Sequence, residues 1–462
     1  MKFLQSLTLA AVLGGSAAVV APVGTRAESA SSEAPKLARS EPITLSPSGG
    51  HGATVAVDPR NGAVYLAWAQ KAPKAPNDVE DREKRKKDVS LSVLVARSDD
   101  GGRRFGAPVV ASRPGDHVRA YTVSPARVAV GPQGDVYVQY GDEDPDFSLE
   151  GSYLGRMYLR MARSLDGGRS FEPPVQIGGE AVEGAVASLG MTNLFSAPDG
   201  ALYSSWLDSR ESIAYVLANK KHPPKNIYAS QLRVARSDDR GRSFQKSTLV
   251  TEPVCVCCGT KVAQGQDGPV YAGTRGLAWQ AVKGSADPVR DIVVAASHDR
   301  GATWDAAVKL HDDGFKVSAC PDVTAGLAVD SKGRLHAAWY TGSDRRPGVF
   351  YAVSSDHGKS FSEPVALLTD DWLPYGDVKL ALDAKENVFV AFEDRRGDVD
   401  LIRLARIGAD GSVLHAEPWP GTGPDLAAIG DAALIVWGGI SPASEEQGGA
   451  VELATIRLEP GS

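Results

Sequence analysis

Three of the four cysteines stand within four residues of one another, Cys255, Cys257 and Cys258 in the run Val254-Cys-Val-Cys-Cys-Gly259. The fourth, Cys320, follows in Ala319-Cys-Pro321. Such a cluster supports three chemistries. Thiolates that converge suit a soft ion such as copper(I), or zinc. A redox-active disulfide is the second. The third is a pair of structural disulfides, and there the spacing restricts the pairing. Adjacent Cα atoms sit about 3.8 Å apart whereas disulfides prefer about 4.4–6.8 Å, so Cys257–Cys258 is strained. Cys255–Cys258 with Cys257–Cys320 is the relaxed alternative. His311, Asp312 and Asp313 precede Cys320 closely enough to supply further metal ligands, and His51 and His117 are weaker candidates.

Arginines form the second group able to do chemistry. They recur beside acids as Asp208-Ser209-Arg210, Asp344-Arg345-Arg346 and Asp394-Arg395-Arg396, with Arg275, Arg290 and Asp291 between. A guanidinium presents a planar fork to a carboxylate or phosphate, so a ring of them favours a small anionic ligand. The structural alternative is that each Asp–Arg pair bridges neighbouring units of the fold.

These groups are positioned by a repeat. Ser-x-Asp-x-Gly-x-x-Phe/Trp occurs five times, starting at Ser98, Ser164, Ser237, Ser297 and Ser354, at intervals of 57–73 residues. Ser and Asp side chains can bond nearby backbone N–H groups, Gly supplies positive φ, and the aromatic ring packs beneath. The motif is a turn, and its aspartates are structural. Each copy ends an apolar strand, and further strands surround it: Ala53–Val57, Val64–Trp68, Leu91–Arg97 and Pro108–Ala111 in the first unit. The pattern returns at Arg127–Tyr140, Asn193–Trp206, Val262–Thr274, Gly326–Trp339, Lys379–Phe392 and Leu426–Trp437.

Short strands with regular turns across one chain predict an all-β fold, a single β-propeller of four-stranded blades. Seven blades are expected, six being the alternative count. The last unit contains three strands and needs a fourth. Pro42–Leu45 is the candidate, closing the ring and removing an exposed edge. In this topology the Ser-Asp-Gly turns share one rim. The other rim collects the cysteines, the acid–arginine pairs and the long insertions Gln70–Asp88, Asp142–Arg156, Asp208–Tyr228 and Arg275–Arg290. The mixed-charge stretch Asn77–Asp88 reads as a solvated loop.

The repeats SDDGGRRF, SLDGGRSF, SDDRGRSF, SHDRGATW and SSDHGKSF closely resemble the Asp-box, or BNR repeat, of the sialidase-like propellers, from about residue 43 onward. That resemblance implies an exo-sialidase-like glycoside hydrolase as one functional class. Three arginines would then grip a carboxylate, drawn from Arg210, Arg275, Arg290, Arg345 and Arg395. A tyrosine (Tyr375 or Tyr121) paired with Glu393 or Glu183 would be the nucleophile. The chain departs from the family in lacking an Arg-Ile-Pro tripeptide and in carrying the thiol cluster.

The other class is an exported propeller that binds a ligand or soft metal ion, copper or zinc, at its cysteine-rich rim. A net charge of −7 without a basic stripe argues against nucleic acid. The apolar run Phe3–Val20, followed by small residues to Ala27, reads as a signal peptide covering residues 1–27. Residues 28–41 then form a flexible segment and residues 42–462 the propeller. Periplasmic or secreted location follows, with no membrane-spanning segment after signal removal. A monomer is expected, whose partner is a small anion, a glycan or a metal ion.

Overall fold

The computed structural model describes residues 35–71, 91–119, 124–144, 156–185, 191–221, 229–278, 288–317, 321, 323, 325–439 and 449–459. The signal segment, the stretch Asn77–Asp88, Tyr121 and Cys320 lie outside the described residues.

Seven antiparallel units follow one another. The first comprises Ile43–Val57, Val64–Lys71, Leu91–Ser98 and Val109–Val110, the second Arg127–Val130, Val136–Glu143, Met157–Ser164 and Val175–Ile177. The third has Thr192–Ser196, Leu202–Asp208, Ser230–Ser237 and Thr248–Val254. The fourth has Lys261–Gln264, Val270–Arg275, Ile292–Ser297 and Val308–Lys309. Gly326–Val329, Leu335–Thr341, Gly348–Ser354 and Val365–Thr369 make the fifth. Val378–Leu382, Val388–Asp394, Leu401–Ile407 and Val413–His415 make the sixth. Thr422–Ile429, Ala432–Gly438 and Gly449–Glu459 belong to the seventh.

Second strands are buried along nearly their whole length, as expected of strands covered on both faces. Third strands alternate between buried and partly exposed positions. The cores lie between units. Tyr65 packs with Val138 and Tyr140, Tyr137 with Trp206, and Tyr203 with Val270. Tyr271 packs with Trp339, Tyr340 with Phe392, Phe389 with Trp437, and Trp68 with Leu434. Each such aromatic removes roughly 150–250 Å² from water, about 4–6 kcal/mol before entropy is subtracted.

First strands are neighbours in the same cyclic order, each against the next, and that of the seventh unit against that of the first. Side chains stitch several of these seams. Thr54 Oγ1 donates to Ala126 O at 2.8 Å and accepts from Val128 N at 3.1 Å. Arg127 Nε donates to Thr192 O at 3.2 Å, and Val262 N to Asn193 Oδ1 at 3.0 Å. Val55 N donates to Asp425 Oδ2 at 3.0 Å, joining the last unit to the first.

The N-terminal strand pairs with the last one, Ile43 opposite Leu453 and Thr44 opposite Glu452, where the missing fourth strand was expected. Pairing also begins earlier than the sequence suggests. Lys36–Arg39, placed in a flexible segment by composition, is a strand opposite Ile456–Glu459, and Leu37 is buried against the core of Trp419 and Trp437. Arg210–Asn219, inside an expected loop insertion, is an α-helix. Its apolar residues Ile213 and Val216 are buried three apart, a helical spacing visible in the sequence.

All five Ser-Asp-Gly turns have one geometry. In the second, Ser164 Oγ donates to Asp166 Oδ1 at 2.7 Å and accepts from Gly168 N at 2.8 Å. Arg169 N and Ser170 N both donate to Asp166 Oδ1 at 3.0 Å. Gly168 has φ +82°, a conformation that disfavours a side chain. Hydrogen bonds hold the turn carboxylates low, Asp100, Asp299 and Asp356 at about 2. They are committed acceptors, not acids. Their folded pKa lies below the unfolded one, so their contribution is present above about pH 4 and is lost as pH falls toward 2. Asp166→Ala is expected to lower the melting midpoint at pH 7 by about 2–4 °C and to have a smaller effect at pH 2.5.

Candidate metal centre

The cysteines lie where Thr248–Val254 leaves the third unit for the first strand of the fourth. Cys255 N donates to Arg275 O at 2.9 Å and Leu277 N to Pro253 O at 3.1 Å, fixing this connector against the fourth unit. In that unit Arg275 pairs with Ile292 at one end and Val270 with Ser297 at the other. The cluster therefore sits at the end opposite the Ser297 turn, on the rim assigned to ligands.

All three side chains are buried. The Cys258 thiol donates to Cys255 Sγ at 3.1 Å, the Cys255 and Cys257 sulfurs are 3.5 Å apart, and all three ligand atoms lie within 4.8 Å of one another. A disulfide is about 2.05 Å long, so Cys255 and Cys258 are not bonded. The alternative partner of Cys257, Cys320, is outside the described residues.

The cluster is electrically asymmetric. Hydrogen bonds from Cys257 and then Cys258 hold the Cys255 thiol well below its ordinary range, against burial and with help from Arg290. Arg290 Nη1 donates to Cys255 Sγ at 2.8 Å. Cys258 is pushed well up, first by burial and then by the hydrogen bond its thiol gives Cys255. A thiol biased toward its anion thus faces a guanidinium, while burial favours the proton on a neighbouring sulfur. Burial works against the Arg290 charge, but the three sulfurs outweigh it and raise its pKa.

Arg275 positions that guanidinium. It is buried, its Nη1 donates to Arg290 O at 2.6 Å and its Nη2 to Tyr340 O at 2.9 Å. Its guanidinium carbon stands 5.3 Å from the Phe315 ring centre, and Arg290 N donates to Phe315 O at 2.8 Å. Arg290→Met is expected to move the Cys255 titration upward. The thiolate absorbance of the metal-free protein in the ultraviolet would then emerge at higher pH, and an unchanged titration curve would show that Arg290 does not act on the sulfur.

The other residues singled out from the sequence are placed elsewhere. His311 Nδ1 bonds Asp313 Oδ1 at 2.7 Å, and Asp313 Oδ2 accepts from Trp339 Nε1 at 2.8 Å. His311 is not in the sulfur group; it lines a cavity of about 270 Å³ with Asp313, Ser343, Arg345, Arg346 and Phe350. Arg210 is clamped by Asp208 at 2.7 Å through both Nε and Nη2. Arg345 Nη2 donates to Asp312 O at 2.7 Å, and Arg395 lies 3.2 Å from Glu393. Asp208–Arg210 and Asp394–Arg396 are clamps two residues apart. Each arginine also pairs with an acid after the preceding unit's last strand, Arg210 with Glu180 at 3.8 Å and Arg396 with Asp370, so they link neighbouring units as well.

Glu393 is buried, accepts from Gly423 N at 2.6 Å and Asp377 N at 3.1 Å, and has its pKa raised by burial. Tyr375 is exposed, and Glu183 pairs with Arg156. Nothing in the sequence couples Arg290 to Cys255, because 35 positions separate them. Only the antiparallel return of the fourth unit brings them together.

Neither a protein-family model nor a curated protein matches the sequence. Solved structures do. A polysaccharide lyase described as an ulvan lyase of family PL25, bound to -[GlcA(1-4)Rha3S]-, superposes at TM-score 0.53 with 11% identity, over 91% of this chain and 96% of that one. A Dyadobacter fermentans DSM 18053 protein of unknown function matches at TM-score 0.50 and 12% identity, over 92% of this chain and 99% of its own. The Hadza microbial sialidase Hz136 is 16% identical over 80% of this chain and 66% of that one, at TM-score 0.46. The chain has a β-propeller fold. Among the described residues no helix is long and apolar enough to cross a membrane.

Proposed function

We propose that the seven units close radially as seven blades, and that the chain is an exported propeller whose cysteine rim binds a soft metal ion, copper(I) before zinc. The observation that carries the metal reading is the three buried sulfurs of Cys255, Cys257 and Cys258, all within 4.8 Å of one another. Closure is supported by the cyclic order of first-strand neighbours and by cores that lie between successive units, the last with the first. Export is supported by the apolar run Phe3–Val20.

A metal–sulfur bond of about 2.3 Å requires sulfurs about 3.8 Å apart, so the present 3.1 and 3.5 Å need widen only slightly. Sulfur-only ligation favours copper(I), which accepts three soft donors, whereas zinc requires a fourth ligand. Arg290 offsets the anionic charge of a thiolate complex.

The glycoside hydrolase alternative has less support. Arg210, Arg275, Arg290, Arg345 and Arg395 each hold a partner of their own, so no three of them form an open carboxylate clamp. The test is anaerobic loading of the reduced full-length protein with copper(I), and separately with zinc, followed by desalting and metal analysis. One retained ion per chain with loss of titratable thiols supports the reading. Retention of neither metal by a protein whose thiols titrate freely refutes it.

A further inference from the structure

The first strands carry one equivalent position in all seven units. Thr54, Arg127, Asn193, Lys261, Gly326, Lys379 and Asp425 pair with Ala67, Gln139, Ser205, Gly273, Ala338, Ala391 and Val436. Each partner immediately precedes the same second-strand position, occupied by Trp68, Tyr140, Trp206, Thr274, Trp339, Phe392 and Trp437. These seven residues therefore form one layer around the innermost strands.

Most of the layer is committed to the seams. Thr54, Arg127, Asn193 and Asp425 bond backbone groups of the next first strand. Gly326 leaves no room for a side chain, since a Cβ there would stand 2.7 Å from Leu380 N. Lys379 Nζ pairs with Asp377. Lys261 is the exception. Its ammonium has no hydrogen-bond or ion-pair partner among the described residues.

The charges acting on Lys261 come from Asp425, Lys379, Arg127 and Asp377, which belong to the seventh, sixth and second units. None of these units adjoins the fourth, so the groups meet across a common centre. Three cations against two carboxylates leave one positive charge unneutralised there, and it is the one without a partner.

We infer that Lys261, with Arg127 and Lys379 around it, binds a small monovalent anion, a halide or a lone carboxylate, at the centre of the inner-strand layer. The site is separate from the sulfur cluster and rests on the radial closure proposed above, not on metal binding. Lys261 is only partly exposed, and the protein packed around it brings its amine down to about 8; Lys379 and Arg127 lower it further, while Asp425 and Asp377 oppose them. An adjacent anion supplies the missing counter-charge and restores the ammonium.

The probe is chloride alone, followed by chlorine NMR linewidth in the presence of the full-length protein. Excess broadening is expected for the wild type and for Lys261→Arg, falling to the bulk value in Lys261→Met. Displacement by added formate identifies a site open to carboxylates, whereas persistence of broadening restricts it to halide. Should Lys261→Met fail to fold, the test moves to the isotopically dimethylated wild type, with the Lys261 resonance assigned through Lys261→Arg. Chloride should raise its titration midpoint. Absence of excess broadening in the wild type, equal broadening in Lys261→Met, or a midpoint indifferent to chloride overturns the inference. Intact metal retention in the same preparation would show that the anion site alone had failed.

Discussion

Cys255→Ser is expected to weaken copper(I) retention by at least about a hundredfold, more than the roughly ten- to hundredfold typical of losing an outer partner of a ligand. Cys255 is the hub of the cluster: its sulfur accepts from Cys258 and Arg290 and stands 3.5 Å from Cys257. Its thiol is also held well below its ordinary range, because the hydrogen bonds of its neighbours favour the thiolate. Serine keeps the volume and removes the soft donor. Arg290→Met should cost about tenfold, since it withdraws charge from the complex but no ligand. His311→Ala should cost nothing, because that ring is bonded to Asp313. Competition against a copper(I) chelator measures all three. Equal retention by Cys255→Ser and wild type would remove the cluster as the binding site.

Deleting residues 1–45 is expected to lower the melting midpoint by about 8–16 °C. The deletion removes Leu37 from the core it shares with Trp419 and Trp437, a loss of about 2–5 kcal/mol for a leucine truncated to alanine. It also removes the backbone pairing of Lys36–Arg39 with Ile456–Glu459 and of Ile43 and Thr44 with Leu453 and Glu452, at roughly 1 kcal/mol per net hydrogen bond. Ordering these terminal residues costs about 1–2 kcal/mol each, which offsets much of that sum; a net loss near 4 kcal/mol gives the stated shift at about 2–4 °C per kcal/mol. The same cut bares the edge of Gly449–Glu459, so dimers or aggregates should appear in size-exclusion profiles. Leu37→Ala separates the two effects, because it removes core volume and leaves the edge covered. A deletion variant that melts with the wild type would mean that the terminal pairing contributes nothing to closing the last unit.

Much of the architecture is legible in the sequence because its causes are local. A Ser, an Asp and a Gly at fixed spacing satisfy one another within a single turn, so five copies announce five hairpins wherever the chain goes. Alternating apolar residues mark the strands between them, and a last unit one strand short requires a partner from the other terminus. The extension of that partner back to Lys36 is not legible. Lys-Leu-Ala-Arg carries one apolar residue, and only the exposed edge at Ile456–Glu459 makes a strand of it. The helix Arg210–Asn219 had a readable spacing but lay inside an insertion, where strand periodicity had already stopped.

The site divides in the same way. Sequence alone determined that three sulfurs must be near one another, because four consecutive residues cannot separate far, and that they sit between the third and fourth units. Tertiary structure decided what depends on return of the chain: Arg290 against Cys255, Arg275 beneath Arg290, Arg345 against Asp312 O, and Arg396 against Asp370. The physical reason is range. Turn chemistry and strand alternation act over a few residues and leave a mark in the order of the chain. Burial and charge act through space, and here they choose partners that the order of the chain keeps 15 to 35 residues apart.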